Sequence, residues 1–333
     1  MMNWAILATA GFGLFSFVTP STAPPTSTAE SAKVAVNRAI PLIQKSLAEY
    51  PHHASCFSCH HQGMGLFALR QAGDKGYSVD RKLIAEVMEH TAKDLRTDIA
   101  LYQKGQGQPG GVTRAGYAML ALDCAGAKRD ETTLAVTGFL LGKDKDQAFW
   151  RSSSNRPPSE VSAFTDTFLA IRAMKAFGDS GQRDASAART EKAQKWLIEA
   201  PVKETEDRVF QLWALKESGA TREVIEASAK ALLADQRPDG GWAQLPAMES
   251  DAYATGSALS VLLLTGSVKR NDPAVGRAVQ WLLKGQLTDG SWHVVSRSKP
   301  FQPYFESGFP HTKDQFISMA ASCWAVVGLS LGG

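Results

Sequence analysis

A short turn occurs twice, 50 residues apart, and constrains the fold more than any other feature of the chain. Gln236-Arg237-Pro238-Asp239-Gly240-Gly241-Trp242 is matched by Gln286-Leu287-Thr288-Asp289-Gly290-Ser291-Trp292. Each copy follows a segment with helical apolar spacing (223–234 and 274–284) and precedes another (252–264 and 315–331). A fixed period of this length is the signature of a repeat architecture. Strand signals are weak elsewhere, and Gly-containing turns separate helical segments along the rest of the chain. The pattern predicts an all-α protein of six helix pairs, at about 33–73, 80–126, 130–178, 187–219, 222–266 and 273–332.

The turn has a readable logic. Asp-Gly supplies a tight bend with one residue at positive φ. The Trp is large enough to pack back across the preceding helix, and the Gln can bond exposed backbone at a helix end. The second helices of the pairs are small and apolar all round: 116–122, 165–171 and 209–215 are examples. Such helices belong to an inner layer, whereas the first helices carry more Lys, Glu and Arg and suit an outer one.

These turns resemble the QW motifs of the squalene–hopene cyclase and protein prenyltransferase superfamily. The stretch Tyr304-Phe305-Glu306-Ser307-Gly308-Phe309-Pro310-His311-Thr312-Lys313-Asp314-Gln315, with Ile317 to Ala325 after it, is similar to the C-terminal repeat of bacterial squalene-cyclase-like proteins. The resemblance implies an α6–α6 toroid with six inner helices, six outer helices and a central cavity. The Asp-x-Asp-Asp motif with which those cyclases protonate an alkene is missing. Lone carboxylates stand instead at inner-helix starts, Asp166 and Asp251, where an N-cap role is the plainer reading. Terpene cyclisation is therefore not expected.

The first repeat carries Cys56-Phe57-Ser58-Cys59-His60 where repeats five and six carry the turn. Cys-x-x-Cys-His is the spacing at which c-type haem is attached. It predicts one covalent haem c, with thioethers to Cys56 and Cys59 and His60 as proximal ligand, on a loop at 52–62 in the mouth of the ring. His311, from the repeat that would adjoin the first, is the preferred distal iron ligand. His293, His52, His53 or an open position are the alternatives. Arg114, Arg151 and Lys313 could pair with propionates, though solvated charges are the plainer reading. Trp242, Trp292, Tyr304, Phe305 and Phe309 could wall a ligand, with packing the safer role for both Trp residues.

The expected function is thus an exported mono-haem cytochrome on a toroid scaffold. Its partner would be a redox protein or a small molecule in an apolar cavity. The alternative is a non-haem toroid: a zinc-dependent protein using Cys56, Cys59 and His60 or His61, or an isoprenoid-binding one. A third option is a repeat protein that presents a surface to a partner.

An apolar run from Trp4 to Val18, then a Ser/Thr/Pro/Ala stretch to Ala29, reads as a secretory signal over 1–29 and predicts a periplasmic location. No Lys or Arg precedes Lys33, so an uncleaved anchor, and with it membrane association, is the other reading. A net charge of +3 from 36 basic and 33 acidic residues gives no field for a polyanion, so no nucleic-acid partner is expected. Cys124 and Cys323 sit in apolar helical sequence and read as buried small hydrophobes, with a disulfide between them left open.

Overall fold

The computed structural model describes residues 1, 27–54, 59–300 and 303–333. The signal segment expected over 1–29 lies mostly outside them, as do Cys56 and the two residues after it. The described chain is helical. The outer helices are α1 (Thr28–His53), α3 (Arg81–Thr97), α6 (Glu131–Gly142), α8 (Arg183–Glu199), α10 (Arg222–Ala234) and α12 (Pro273–Gly285). The inner helices are α2 (Cys59–Asp74), α5 (Gly111–Ala125), α7 (Ala163–Phe177), α9 (Thr205–Glu217), α11 (Ala252–Leu264) and α13 (Gln315–Gly332). A short α4 (Ile99–Gln103) lies between α3 and α5.

Local chemistry starts these helices where the sequence changes character. Asp80, Asp130, Ser162, Thr221, Asp251 and Asp272 each cap a helix by accepting from backbone N–H groups of its first turn. Pro273 follows its cap at the first helical position, where its fixed φ and missing N–H do no harm.

Packing runs in sequence order. Inner helices contact their neighbours from α2 through α5, α7, α9 and α11 to α13, and α13 also packs on α2. In the outer layer α12 meets α1. The inner helices are buried on nearly every face because each touches two inner neighbours and at least one outer helix. α13 is apolar and long enough to cross a membrane, yet most of it is buried by α11, α2 and α1.

The repeated turns connect the layers by the same bonds. Trp242 Nε1 donates to Leu232 O and Trp292 Nε1 to Leu282 O, each at 2.8 Å. Gln236 Nε2 donates to Gly240 O and to Ala274 O at the start of α12, both at 2.9 Å. Gln286 Nε2 donates to Gly290 O and to Ala35 O in α1 at 2.9 and 2.8 Å. One glutamine therefore joins the fifth pair to the sixth, and the other joins the sixth to the first. Gly240 and Gly290 have φ of +93° and +95°, and a Cβ there would strike the carbonyls of Arg277 and Arg38.

A third turn of this kind follows α6. Trp150 is fully buried, its Nε1 donates to Leu140 O at 2.7 Å, and Arg189 lies over its ring. No Asp-Gly marks it, so the sequence pattern does not display it.

At mid-height the rings of Phe67, Phe168, Phe210, Trp213 and Trp324 meet, contributed by α2, α7, α9 and α13. Phe168 stacks on Trp213 at 4.1 Å between centroids, and Phe67 and Trp324 lie 5.2 and 5.8 Å from Trp213. All five are buried. The interior at this level is filled by aromatic side chains, so the open central cavity implied by the resemblance is closed there. Cys124 and Cys323 are free and buried, and burial pushes the Cys124 thiol up to about 12.

Candidate functional site

Polar side chains gather in the first turns of α2, α5, α7, α9 and α11, where they meet the loop 143–162. This end of the ring is where the turns lie. Within the loop, Arg156 and Glu160 bond through their backbones, N–H to O at 3.4 and 3.1 Å, and Ser152 bonds Ser154 N at 3.2 Å. That tight turn carries Ser159 and Glu160 inward, and both are buried.

Glu160 is one centre of the cluster. Its Oε1 lies 2.5 Å from His60 Nδ1, Ser154 Oγ donates to Oε2 at 3.1 Å, and Arg156 pairs with it. Burial alone would raise its pKa, but His60, Arg156 and Ser154 together hold it below the usual carboxylate range. Beside it, Tyr117 donates its hydroxyl to Ser159 O at 2.9 Å.

Two other carboxyls behave in the opposite way. Asp166 accepts from Thr113 Oγ1 at 3.0 Å on Oδ2, while Oδ1 has no hydrogen-bond partner. Glu206 accepts from Thr165 Oγ1 at 3.0 Å on Oε1, while Oε2 has none. Both are buried, at 1% and 3% exposure, and among the described residues no cation contributes to the shift of either one. Burial therefore raises Asp166 to about 7 and Glu206 to about 8. The Tyr253 phenol stands beside Glu206. One end of the ring thus holds an ionised carboxylate with basic partners and two carboxylic acids that are neutral under mildly acidic conditions.

The residues singled out from sequence are dispersed. His60 belongs to the cluster, in the first turn of α2, and its Nδ1 is taken by Glu160. The expected loop at 52–62 is helical at both edges, since α1 runs to His53 and α2 begins at Cys59. Cys56 lies outside the described residues, and the same holds for the side chain of Cys59. His61 is fully buried with Nε2 3.3 Å from Ser46 Oγ, and burial lowers its pKa to about 3. His311 lies in the loop before α13. Its Nε2 lies 2.7 Å from Ser291 Oγ, and its ring stacks on His293, which bonds Asp314. Arg114 is committed to Asp94 by two bonds of 2.7 and 2.9 Å, while Arg151 and Lys313 are exposed.

Asp251 is the expected N-cap, accepting from Tyr253 N and Ala254 N. Asp166 is not a cap: Ser162 caps α7, and the Asp166 carboxyl turns to α5 instead. Glu160 and Glu206 carry no distinguishing mark in the sequence. Glu206 reads there as an ordinary acidic residue in a helix first turn, and Glu160 as a solvated loop charge. A carboxylate inside a helix that is otherwise apolar all round is the signal that marks Asp166.

Residues 195–333 match the family model of the squalene-hopene cyclase C-terminal domain. Among solved structures, the chain is similar to a type II terpene cyclase, MstE from Scytonema. A substituted form of that enzyme in complex with its substrate geranylgeranyl dihydroxybenzoate aligns at 12% identity and a TM-score of 0.57. The alignment covers 91% of this chain and 98% of that one. A second form with the product merosterolic acid A aligns at 14% identity and 0.54, covering 91% and 97%. A possible GH105-family member from Klebsiella pneumoniae aligns at 10% identity and 0.54, covering 96% and 98%. At these identities the likeness shows the fold, and a shared fold does not choose the chemistry.

The reading as an electron-transferring haem cytochrome is corrected by these findings. The family match is to a cyclase domain, and the fold is that of terpene cyclases. Among the described residues no group of three or more His, Cys, Asp or Glu side chains could hold a metal ion. The chain has the all-α, terpene-cyclase-like toroid fold, and its C-terminal part matches the squalene-hopene cyclase domain.

Proposed function

We propose that this protein binds an isoprenoid within its ring, in cyclase-like architecture but without protonating the chain. The observation that carries this reading is the layered interior: five aromatic rings from four inner helices beneath a cluster of buried carboxyls. Aromatic faces suit the methyl-branched, unsaturated surface of an isoprenoid.

The acids decide between binding and cyclisation. Protonating an alkene requires a strong acid, whose conjugate base must be stabilised by donors or cations. Asp166 and Glu206 have the reverse environment. Desolvation weakens them as acids, and their partners are neutral hydroxyls, Thr113 and Ser152 for Asp166 and Thr165 and Tyr253 for Glu206. Such groups hold a proton and offer it in a hydrogen bond; they do not deliver it to carbon. Because rings fill the axis, the ligand enters by parting the two segments that meet where Ser298 Oγ donates to Pro157 O at 3.1 Å.

Indole emission tests the proposal, since Trp213 and Trp324 lie in the aromatic layer. Titration with a tetraprenyl ligand in detergent is expected to quench it saturably, less so in Trp213→Phe. Product analysis is expected to recover the ligand uncyclised. Absence of saturable quenching would contradict binding, and cyclic product would contradict the role given to the acids.

A further inference from the structure

Asp166 and Glu206 each leave one buried oxygen without a hydrogen-bond partner. Thr113 and Thr165 occupy Oδ2 of Asp166 and Oε1 of Glu206 as donors. Oδ1 and Oε2 make no hydrogen bond although both residues are almost completely buried. Ser152 is a further hydroxyl partner of the Asp166 carboxyl and Tyr253 of the Glu206 carboxyl, while Oδ1 and Oε2 themselves have no partner in hydrogen-bond geometry. An unmet buried polar atom is costly, and such atoms in native proteins point to a missing partner. Each carboxyl accepts from a threonine on one oxygen. In its neutral form its remaining group is an O–H donor, which calls for an acceptor.

The surroundings restrict that acceptor further. Arg156 and His60 are engaged by Glu160, and Arg297 is engaged by Glu204 at 2.6 Å and by Gln244 at 2.8 Å. A phosphate or carboxylate entering here would meet ionised Glu160 and no uncommitted cation among these groups. A hydrocarbon end would leave both oxygens unmet.

Resting on the isoprenoid-binding reading above, we infer that the ligand ends in a neutral carbonyl oxygen. Asp166 Oδ1 and Glu206 Oε2 receive that oxygen at the polar end of the ring, and the prenyl chain runs toward the aromatic layer. The carboxyls act as binding groups that select a ketone or quinone-like head over a hydrocarbon or a diphosphate.

Three ligands of equal chain length separate the outcomes: a tetraprenyl methyl ketone, the tetraprenyl hydrocarbon and tetraprenyl diphosphate. At pH 6 the ketone is expected to bind about tenfold more tightly than the hydrocarbon, the effect of about one well-made hydrogen bond. The diphosphate is expected to bind most weakly. The preference should fade as pH rises past 8, because an ionised carboxylate no longer donates. Glu206→Gln retains a donor that does not ionise and should keep part of the ketone preference above pH 8, where the unmodified protein has lost it; the part due to Asp166 still fades as pH rises through about 7. Glu206→Leu should lose most of it, with circular dichroism confirming the fold. Equal affinity for ketone and hydrocarbon on the unmodified protein would overturn the inference while leaving isoprenoid binding intact. Tightest binding of the diphosphate would overturn it in the same way. No binding of any of the three would remove both.

Discussion

The turns at 236–242 and 286–292 and the loop at 143–162 begin with the same task and diverge. In all three a tryptophan N–H donates to the carbonyl ten residues earlier, and its ring is buried under the preceding outer helix. The later turns then connect pair to pair: their glutamines bond the next outer helix, and their Asp-Gly bends return the chain at once. The earlier loop gives up that connection. Its extra residues place Ser152, Ser154, Arg156, Ser159 and Glu160 against the starts of α2, α5 and α7. The turn therefore separates into a structural part, the tryptophan, and a replaceable part. The protein spends the replaceable part on its polar interior.

The strongest way to break this comparison is to remove the tryptophans. Trp150→Ala and Trp242→Ala should each cost about 3–5 kcal/mol in unfolding free energy by denaturant titration, the range for large aromatic truncations in a core. A cost below about 1 kcal/mol at Trp150 alone would end the equivalence.

The polar interior should appear next, as a pH dependence the structural turns do not share. Asp166 and Glu206 have folded pKa values raised to about 7 and about 8. The unfolded chain therefore loses their protons first, and stability falls as pH rises from about 4 through 8. His61 works from the other side. Its folded pKa is lowered to about 3, so stability is lost as pH falls below about 6.5. Above about pH 4.5 the two carboxyls outweigh the one histidine, so these three groups together place maximal stability at about pH 4–4.5. Glu206→Gln should flatten the alkaline decline by roughly a few kcal/mol between pH 5 and pH 9. An unchanged alkaline limb in that variant, followed by thermal unfolding, would show that Glu206 is ionised in the folded protein.

Smaller effects sharpen the structural half. Gln236→Ala and Gln286→Ala each remove two bonds to backbone carbonyls and should cost about 1–2 kcal/mol. The loss at Gln286 should loosen α1, visible as faster amide exchange there, because its bond to Ala35 joins the last pair to the first. Ser298→Ala removes the bond to Pro157 and should change stability by less than about 0.5 kcal/mol. It should nevertheless speed ligand entry in stopped-flow quenching if the two loops part at that point.

What could be read from the sequence follows the same division. The Gln, Asp-Gly and Trp of the later turns are visible because their chemistry is local: a bend, a cap, a large ring at a fixed offset. The inner helices show themselves by being apolar all round, and Asp251 by standing just before one. Trp150 was hidden because no Asp-Gly precedes it. Glu160 and Glu206 were hidden because their burial comes from other repeats, and in sequence each is an ordinary charge. The Cys-x-x-Cys-His spacing points to haem when read alone. The described part of that segment is helical, and His60 is tied to a carboxylate from another repeat.

The central claim is that the aromatic layer and the carboxyl cluster above it form one ligand-binding interior. A tetraprenyl ketone carrying a photoactivatable diazirine at the chain end tests it most directly. After irradiation, peptide mapping should place the label on the inner helices α7, α9 and α13, near Phe168, Trp213 and Trp324, and excess unlabelled ketone should suppress it. Label confined to outer-helix peptides, or insensitive to competitor, would contradict the account.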